Sequence, residues 1–258
     1  MELLLFDLDG TLLRRDKTIS QRTMQALRAC REQGMLIGVC TSRATHNCLT
    51  FLPDLTPDLL ITSGGAIVIY RGNTVYSAEF TAEQTQHIIQ TAREICGTDC
   101  EITVDTLDAY YWNYKVDPNE YDATWGETIY TDYADFSEKA LKLCVEIFDE
   151  AQAAQLAVRL PDCDCLRFTE SCWYKFTKKD ATKETAILKA CQICGIDLND
   201  ITAFGDDIPD IGMLKLCGTG IAMGNALEPV KESADAVIGS NDEDSIALYL
   251  ESRFCTNS

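Results

Sequence analysis

Short, wholly apolar runs that stop abruptly at polar clusters restrict the folding of this chain more than any other feature. Glu2–Phe6 runs into Asp7, Met35–Cys40 into Thr41-Ser42-Arg43, Leu59–Thr62 into Ser63-Gly64-Gly65, and Ile201–Phe204 into Gly205-Asp206-Asp207. A strand with no polar alternation is covered on both faces, the condition of strands in a parallel sheet layered with helices. Helices are predicted between them. Ser20–Gln33 carries a capping serine, an apolar stripe of Met24, Ala26, Leu27 and Cys30, and a terminating Gly34. Lys183–Cys194 and the shorter Asp210–Leu216 read likewise, and Thr219–Met223 and Ala236–Ile238 add apolar strands. The pattern is α/β, with a Rossmann-like parallel sheet at its centre.

That pattern is interrupted. After Ser77 comes a predicted helix, Thr81–Cys96, and then a stretch from Glu101 to Tyr133 rich in Tyr, Trp, Thr and Asp without helical period. Leu141, Leu143, Val145 and Ile147 then alternate with Lys142, Cys144 and Glu146, which predicts a strand with one apolar and one solvent face. A helix at Asp149–Leu160 and strands at Cys165–Phe168 and Cys172–Thr177 follow. Residues 78–177 are therefore expected to form an α+β domain inserted into a core of residues 1–77 and 178–258, its antiparallel sheet layered with helices.

Charge narrows the partners. Among 258 residues, 41 are acidic and 22 basic, a formal net charge of −19. Nucleic acids and anionic membranes both call for clustered positive charge, so neither is an expected partner. No apolar run approaches the roughly 18 residues of a membrane span. The opening apolar run meets Asp7 too early for a targeting segment, so a cytoplasmic location is expected. The thirteen cysteines are then expected to be reduced. Cys163-Asp164-Cys165 and Cys191-Gln192-Ile193-Cys194 read as packed thiols rather than metal ligands, the latter pair lying at helical spacing beside Ile187, Leu188 and Ala190.

In open parallel sheets, ligands bind beyond the carboxyl ends of the strands. Asp7 and Asp9, two residues apart after the first strand, would point into one crevice, where each raises the cost of ionising the other. A cation relieves that cost, and an all-oxygen donor set without His or Cys favours Mg²⁺.

Asp7-Leu8-Asp9-Gly10-Thr11-Leu12, followed in order by Thr41, Lys183 and Gly205-Asp206-Asp207-Ile208-Pro209-Asp210, resembles the motif set of the haloacid dehalogenase-like superfamily of phosphohydrolases. The large insert and Gly220-Ile221-Ala222-Met223-Gly224-Asn225-Ala226 are similar to its Cof-type branch. The resemblance implies a Mg²⁺-dependent phosphatase acting on small-molecule phosphate monoesters, such as a sugar phosphate, through an aspartyl-phosphate. Asp7 would be the nucleophile and Asp9 the general acid and base. Thr41, through its hydroxyl and backbone N–H, together with Ser42 and Lys183, would bind the phosphoryl group. Asp7, the Asp9 carbonyl and Asp206 would hold the metal, with Asp210 orienting Lys183 and Arg43 adding positive charge. A phosphomutase and a silent phosphometabolite-binding protein share these features and remain as alternatives.

Three positions depart from the branch pattern: Pro209 and Gly64 stand where asparagines are usual, and Glu184 where glycine is usual. The first two remove polar groups from the expected site, which predicts weaker phosphate binding or altered substrate choice. Substrate choice is expected to lie in the insert. Its Tyr110, Tyr111, Trp112, Tyr114, Lys115, Trp125 and Trp173 are placed on loops; packing of the insert's own sheet is expected to account for most of them, with cover for a sugar or other small organic phosphate as the second reading.

Overall fold

The computed structural model describes residues 2–115, 127–168 and 171–254. Two compact units divide the chain: Met1–Ser42, Phe51–Tyr76 and Thr182–Ser258 in one, Arg43–Thr50 and Ser77–Ala181 in the other.

The first unit is built on β1 (Leu3–Phe6), α1 (Gln21–Glu32), β2 (Leu36–Cys40), β3 (Leu59–Thr62), β4 (Ile67–Tyr70) and β5 (Asn73–Ser77). It resumes with α5 (Lys183–Cys194), β12 (Ile201–Gly205), α6 (Ile211–Leu216), β13 (Thr219–Ala222), α7 (Glu228–Lys231), β14 (Ala236–Val237) and α8 (Ser245–Arg253). The strand order is β14-β13-β12-β1-β2-β3-β4-β5. It is parallel from β14 to β3 and turns antiparallel at β4. Leu3, Leu5, Ile61 and Ala203 are fully buried and pack with Ala186 and Ile187 of α5 and Met213 of α6.

Register is what positions the chemistry. Phe6 of β1 pairs with Phe204 on one side and Val39 on the other, and the Phe6 and Phe204 rings stack at 4.6 Å. The three strands end level, so the polar residues that follow them emerge along one edge of the sheet. The edge strand β5, half polar, carries no continuous apolar run. Arg71 and Gly72, with φ of 48° and 78°, turn the chain between β4 and β5, the left-handed pair that a two-residue hairpin needs.

The second unit contains α2 (Thr45–Thr50), α3 (Ala82–Cys96), β6 (Ile102–Asp105), β7 (Tyr110–Trp112), β8 (Thr128–Tyr130), β9 (Lys142–Glu146), α4 (Glu150–Arg159), β10 (Cys163–Arg167) and β11 (Trp173–Lys178). Its sheet runs β10-β11-β9-β6-β7-β8, antiparallel throughout except where β7 meets β8. Ile88, Ile89 and Ala92 of α3 and Leu156 of α4 pack onto Ile102, Val104, Leu143, Val145 and Phe176. Thr81 and Gln84 form a capping box at the start of α3, satisfying two donors the helix would otherwise leave bare.

Two expectations need correction here. The polar face of β9 does not face solvent, since Lys142 and Cys144 are each only 7% exposed. Lys142 lies opposite Asp105 in the β6–β9 register, and its ammonium reaches the Asp105 carboxylate at 2.6 Å. Burial pulls Lys142 towards neutrality, but Asp105 outweighs it and holds the charge. An alternating pattern separates two faces; whether the polar one is wet depends on ion pairing that periodicity does not reveal. The second correction concerns the aromatic residues. Tyr110, Tyr111 and Trp112 form a paired strand instead of a loop, whereas Trp173 opens β11, within the strand expected at Cys172–Thr177. Tyr111 packs edge-on to Phe136 at 5.0 Å, while Trp112 lies 5.2 Å from Tyr114 and 6.2 Å from Trp173. Lys115 sits 4.6 Å over the Tyr130 ring; Trp125 lies outside the described residues.

Among the described residues, no helix is long and apolar enough to cross a membrane. Every described cysteine is a free thiol, and burial pushes Cys191 up to about 11 and Cys163 up to about 12.

Candidate active site

Asp7 is the first residue beyond β1, tied to the neighbouring strand by its N–H on the Phe204 carbonyl at 2.9 Å. Lys183 enters at the first turn of α5, where Thr182 caps the helix by accepting from the Thr185 N–H. The lysine is 4% exposed. Its ammonium donates to Asp7 Oδ1 at 2.6 Å, to Asp210 Oδ1 at 2.6 Å and to the Cys40 carbonyl at 2.7 Å. All three ammonium donors are thereby satisfied, as a buried charge requires. Burial alone would push Lys183 down; Asp210 and Asp7 together carry it well above the ordinary lysine value. It is a fixed cation.

Asp210 is held as firmly. Its second oxygen accepts from the N–H groups of Asp206 and Asp207 at 3.0 and 3.1 Å, while Asp207 caps the short 3₁₀ turn Ile208–Asp210 through the Ile208 N–H at 2.8 Å. Pro209 stands in the first turn of that segment, where its missing N–H would have had no helical partner. Asp206 projects from the same loop, and its Oδ1 accepts from the Thr11 hydroxyl at 2.6 Å.

Oxygens of Asp7, Asp206 and Asp210 lie within 4.8 Å of one another, a group able to hold a metal ion. Burial raises Asp7 well above the usual carboxylate range, with Asp210 and Asp206 adding to the rise and Lys183 opposing it. Asp206 is pushed up to about 7, first by burial and then by Asp210 and Asp207, despite the Thr11 bond. Asp7 and Asp210 share one ammonium with a third carboxylate, Asp206, alongside, and the crowding of acidic groups is what a divalent ion would relieve. The donors are all hard oxygens, which fits Mg²⁺. Both Asp210 oxygens already have partners, so Asp7 and Asp206 are the carboxylates with capacity left for an ion. Glycine at position 10 keeps that space open. Its φ is +81°, and a Cβ there would stand 2.2 Å from Asp206 Oδ2.

Thr41 follows β2 and is 2% exposed. Its N–H donates to the Ile61 carbonyl at 2.9 Å, and its own carbonyl accepts from the Gly64 N–H at 3.1 Å. The expected phosphoryl contact through that N–H is therefore corrected: the Ile61 carbonyl has taken it. Gly65 must be glycine, because a Cβ would meet the Thr182 carbonyl oxygen at 2.2 Å. Ser42 is the last residue of this unit before the chain passes into the other, where Arg43 donates to Asn47 Oδ1 at 2.6 Å. Asp9, half-exposed, accepts from the Lys17 ammonium at 2.7 Å.

The structure thus brings Asp7, Lys183, Asp206 and Asp210 into one cluster, with Asp9 and Thr41 on the adjoining strand ends. Several supporting contacts escape sequence reasoning: the Cys40 carbonyl, Thr11, Lys17, and the Asn225 amide on the Gly10 carbonyl at 2.8 Å. Thr11 and Asn225 lie inside segments already singled out, whereas a main-chain carbonyl and an isolated surface lysine carry no sequence signal. Glu184 has a structural place, since a Cβ on Gly212 would overlap its carboxylate.

A family model for haloacid dehalogenase-like hydrolases matches residues 4–250, and the chain belongs to that family. It is 29% identical over 267 residues to the pyridoxal phosphate phosphatase YbhA of Escherichia coli, covering 95% of this chain and 96% of that one. It is 26% identical over 279 residues to the 5-amino-6-(5-phospho-D-ribitylamino)uracil phosphatase YwtE of Bacillus subtilis, covering 97% of each. In fold it is similar to a haloacid dehalogenase-like hydrolase from Bacteroides thetaiotaomicron, with a TM-score of 0.85 at 23% identity over 98% of this chain and 99% of that one. A HAD subclass IIB sugar phosphatase superposes with a TM-score of 0.79 at 24% identity, covering 98% of each chain.

Proposed function

We propose that this chain is a Mg²⁺-dependent phosphatase that hydrolyses small-molecule phosphate monoesters through an aspartyl-phosphate on Asp7. The observation that carries the reading is the buried Lys183 ammonium shared by Asp7 and Asp210, with Asp206 alongside. A lysine kept charged at such a depth offsets the repulsion between a carboxylate nucleophile and an anionic phosphoryl group. Kinship with phosphatases acting on a ribitylamino-uracil phosphate and on pyridoxal phosphate supports a metabolite monoester as substrate.

An Asp7 carboxylate oxygen attacks phosphorus as the ester P–O bond breaks, and the electron pair of that bond leaves with the alcohol oxygen. Asp9 gives its proton to that oxygen, so the alcohol departs neutral. Water then attacks the phosphorus of the aspartyl-phosphate while Asp9 takes a proton from it, which releases inorganic phosphate and restores the Asp7 carboxylate. Thr41 and Ser42 hold phosphoryl oxygens, while Lys183, its three donors already taken by Asp7, Asp210 and the Cys40 carbonyl, offsets the charge that Asp7 and the phosphoryl group place side by side. Asp7, the Asp9 carbonyl and Asp206 would hold Mg²⁺, which when bound neutralises charge on the transferring group.

The test is phosphate release from p-nitrophenyl phosphate and a panel of phosphorylated metabolites, with Mg²⁺ and after chelation. Asp7→Asn should abolish release, and chelation should suppress it reversibly. Undiminished release by the Asp7→Asn protein would refute the reading.

A further inference from the structure

The general acid–base carboxylate is not alone on its loop. Lys17 Nζ donates to Asp9 Oδ1 at 2.7 Å. The lysine occupies the left-handed region, at φ 63°, a conformation that L side chains adopt only when their surroundings impose it. Here they do. The turn is closed by the Arg14 N–H on the Thr18 carbonyl and the Lys17 N–H on the Arg14 carbonyl, both at 2.9 Å. Asp16 Oδ1 accepts from the N–H and hydroxyl of Thr18 at 3.0 and 2.6 Å. The turn is in turn anchored outside itself. Arg15 N–H donates to Asp242, and the Asn241 amide donates to the Leu13 carbonyl, at 3.0 and 2.7 Å. A frame this heavily bonded fixes where the Lys17 side chain starts.

Stability does not explain the arrangement. The Lys17 and Asp9 side chains are 43% and 35% exposed, and ion pairs so placed contribute little in water. Backbone strain spent on an exposed pair is understandable where the partner must be held in one orientation.

We propose that Lys17 is the positioning residue of the acid–base group: it fixes the plane of the Asp9 carboxyl so that its proton meets the departing ester oxygen. The assignment rests on the role given to Asp9 in the proposed function. Lys17 touches neither phosphorus nor metal in this scheme, so its removal should harm the steps that need proton delivery and spare the rest.

Leaving groups separate those cases. An alkyl phosphate must have its alkoxide protonated as the bond breaks, whereas p-nitrophenolate leaves unaided. Kinetics of the unaltered protein, Lys17→Met, Lys17→Arg and Arg15→Ala are compared on p-nitrophenyl phosphate and on an alkyl phosphate that the unaltered protein hydrolyses. In the first turnover, Lys17→Met should slow alcohol release from the alkyl ester by about tenfold, a fraction of what a positioned acid supplies, and p-nitrophenolate release by no more than about twofold, with KM held in both. The later hydrolysis of the aspartyl-phosphate draws on Asp9 as base and should slow alike for either ester. Lys17→Arg should recover most of the loss, and Arg15→Ala, a control on the same turn, should match the unaltered protein. Equal first-turnover losses on the two esters, a change confined to KM, or no loss would overturn the Lys17 assignment alone. If the unaltered protein releases phosphate from neither class of ester, the hydrolytic reading fails first and the Lys17 assignment falls with it.

Discussion

Gly10 stands where the backbone turns left-handed just after the two carboxylates of the first motif, and the space its hydrogen leaves is filled by Asp206. Gly10→Ala adds a strained φ and a Cβ that must displace the Asp206 carboxylate. Misplacing a catalytic group by about an ångström can cost on the order of 10²-fold, so phosphate release should fall by about that factor while the melting temperature moves only a few degrees. Steady-state kinetics beside a thermal melt checks both. Asp206 also sets a pH dependence. Its ion-free value is raised to about 7, so the ion-free fold favours the protonated form. Its contribution to stability is then lost as pH rises from the ordinary carboxylate range through about 7. Metal binding must expel that proton, so Mg²⁺ affinity should weaken as pH falls below about 7, approaching tenfold per unit. Calorimetry near pH 6 and pH 8, in buffers of different ionisation enthalpy, should show weaker binding and proton release at the lower pH. Pro209 occupies a position where an N–H is dispensable, so Pro209→Asn should fold normally and read directly, through KM, whether an amide there strengthens phosphate binding.

Among the elements, those whose identity came from burial were legible and those whose identity came from pairing were not. Leu3–Phe6, Leu36–Cys40 and Ile201–Gly205 are continuous apolar runs because both faces are covered. Polar β5 and the aromatic β7 and β8 exist because a neighbouring strand accepts their backbone bonds, which single-sequence patterning does not record. Helix α2, Thr-His-Asn-Cys-Leu-Thr, has a single strong helix former, Leu49, and no apolar stripe. The site divides along the same line. Its carboxylates sit next to strand ends and announce themselves, but the Lys183 bond to the Cys40 carbonyl depends on a parallel register fixed by tertiary packing. The Asp105–Lys142 pair on β6 and β9 makes the point quantitatively. With the two side chains only 0% and 8% exposed, Lys142→Met strands a buried carboxylate and should destabilise the unit by about 3–5 kcal/mol. Adding Asp105→Leu should recover most of that loss, as urea unfolding of the single and double variants would reveal.

At the scale of the whole molecule, the charge of −19 works against an anionic substrate. Among the described residues, the ammonium groups of Lys183 and Lys17 oppose that field at the site, and a divalent ion held there would oppose it further. Raising ionic strength shortens the screening length from about 30 Å at 0.01 M to about 8 Å at 0.15 M. Under saturating Mg²⁺, kcat/KM for a phosphate ester should therefore rise with salt, whereas a site dominated by positive steering would show the opposite slope.

The central claim is that Asp7 carries the phosphoryl group between ester and water. It is tested most directly by rapid-quench mass spectrometry of Asp9→Asn protein mixed with p-nitrophenyl phosphate and Mg²⁺. An aryl leaving group needs no acid, while water still needs a base, so the intermediate should accumulate. The account predicts a burst of one equivalent of p-nitrophenolate and one phosphoryl group on the peptide bearing Asp7. Steady turnover without a burst, or a burst that leaves Asp7 unmodified, would contradict it.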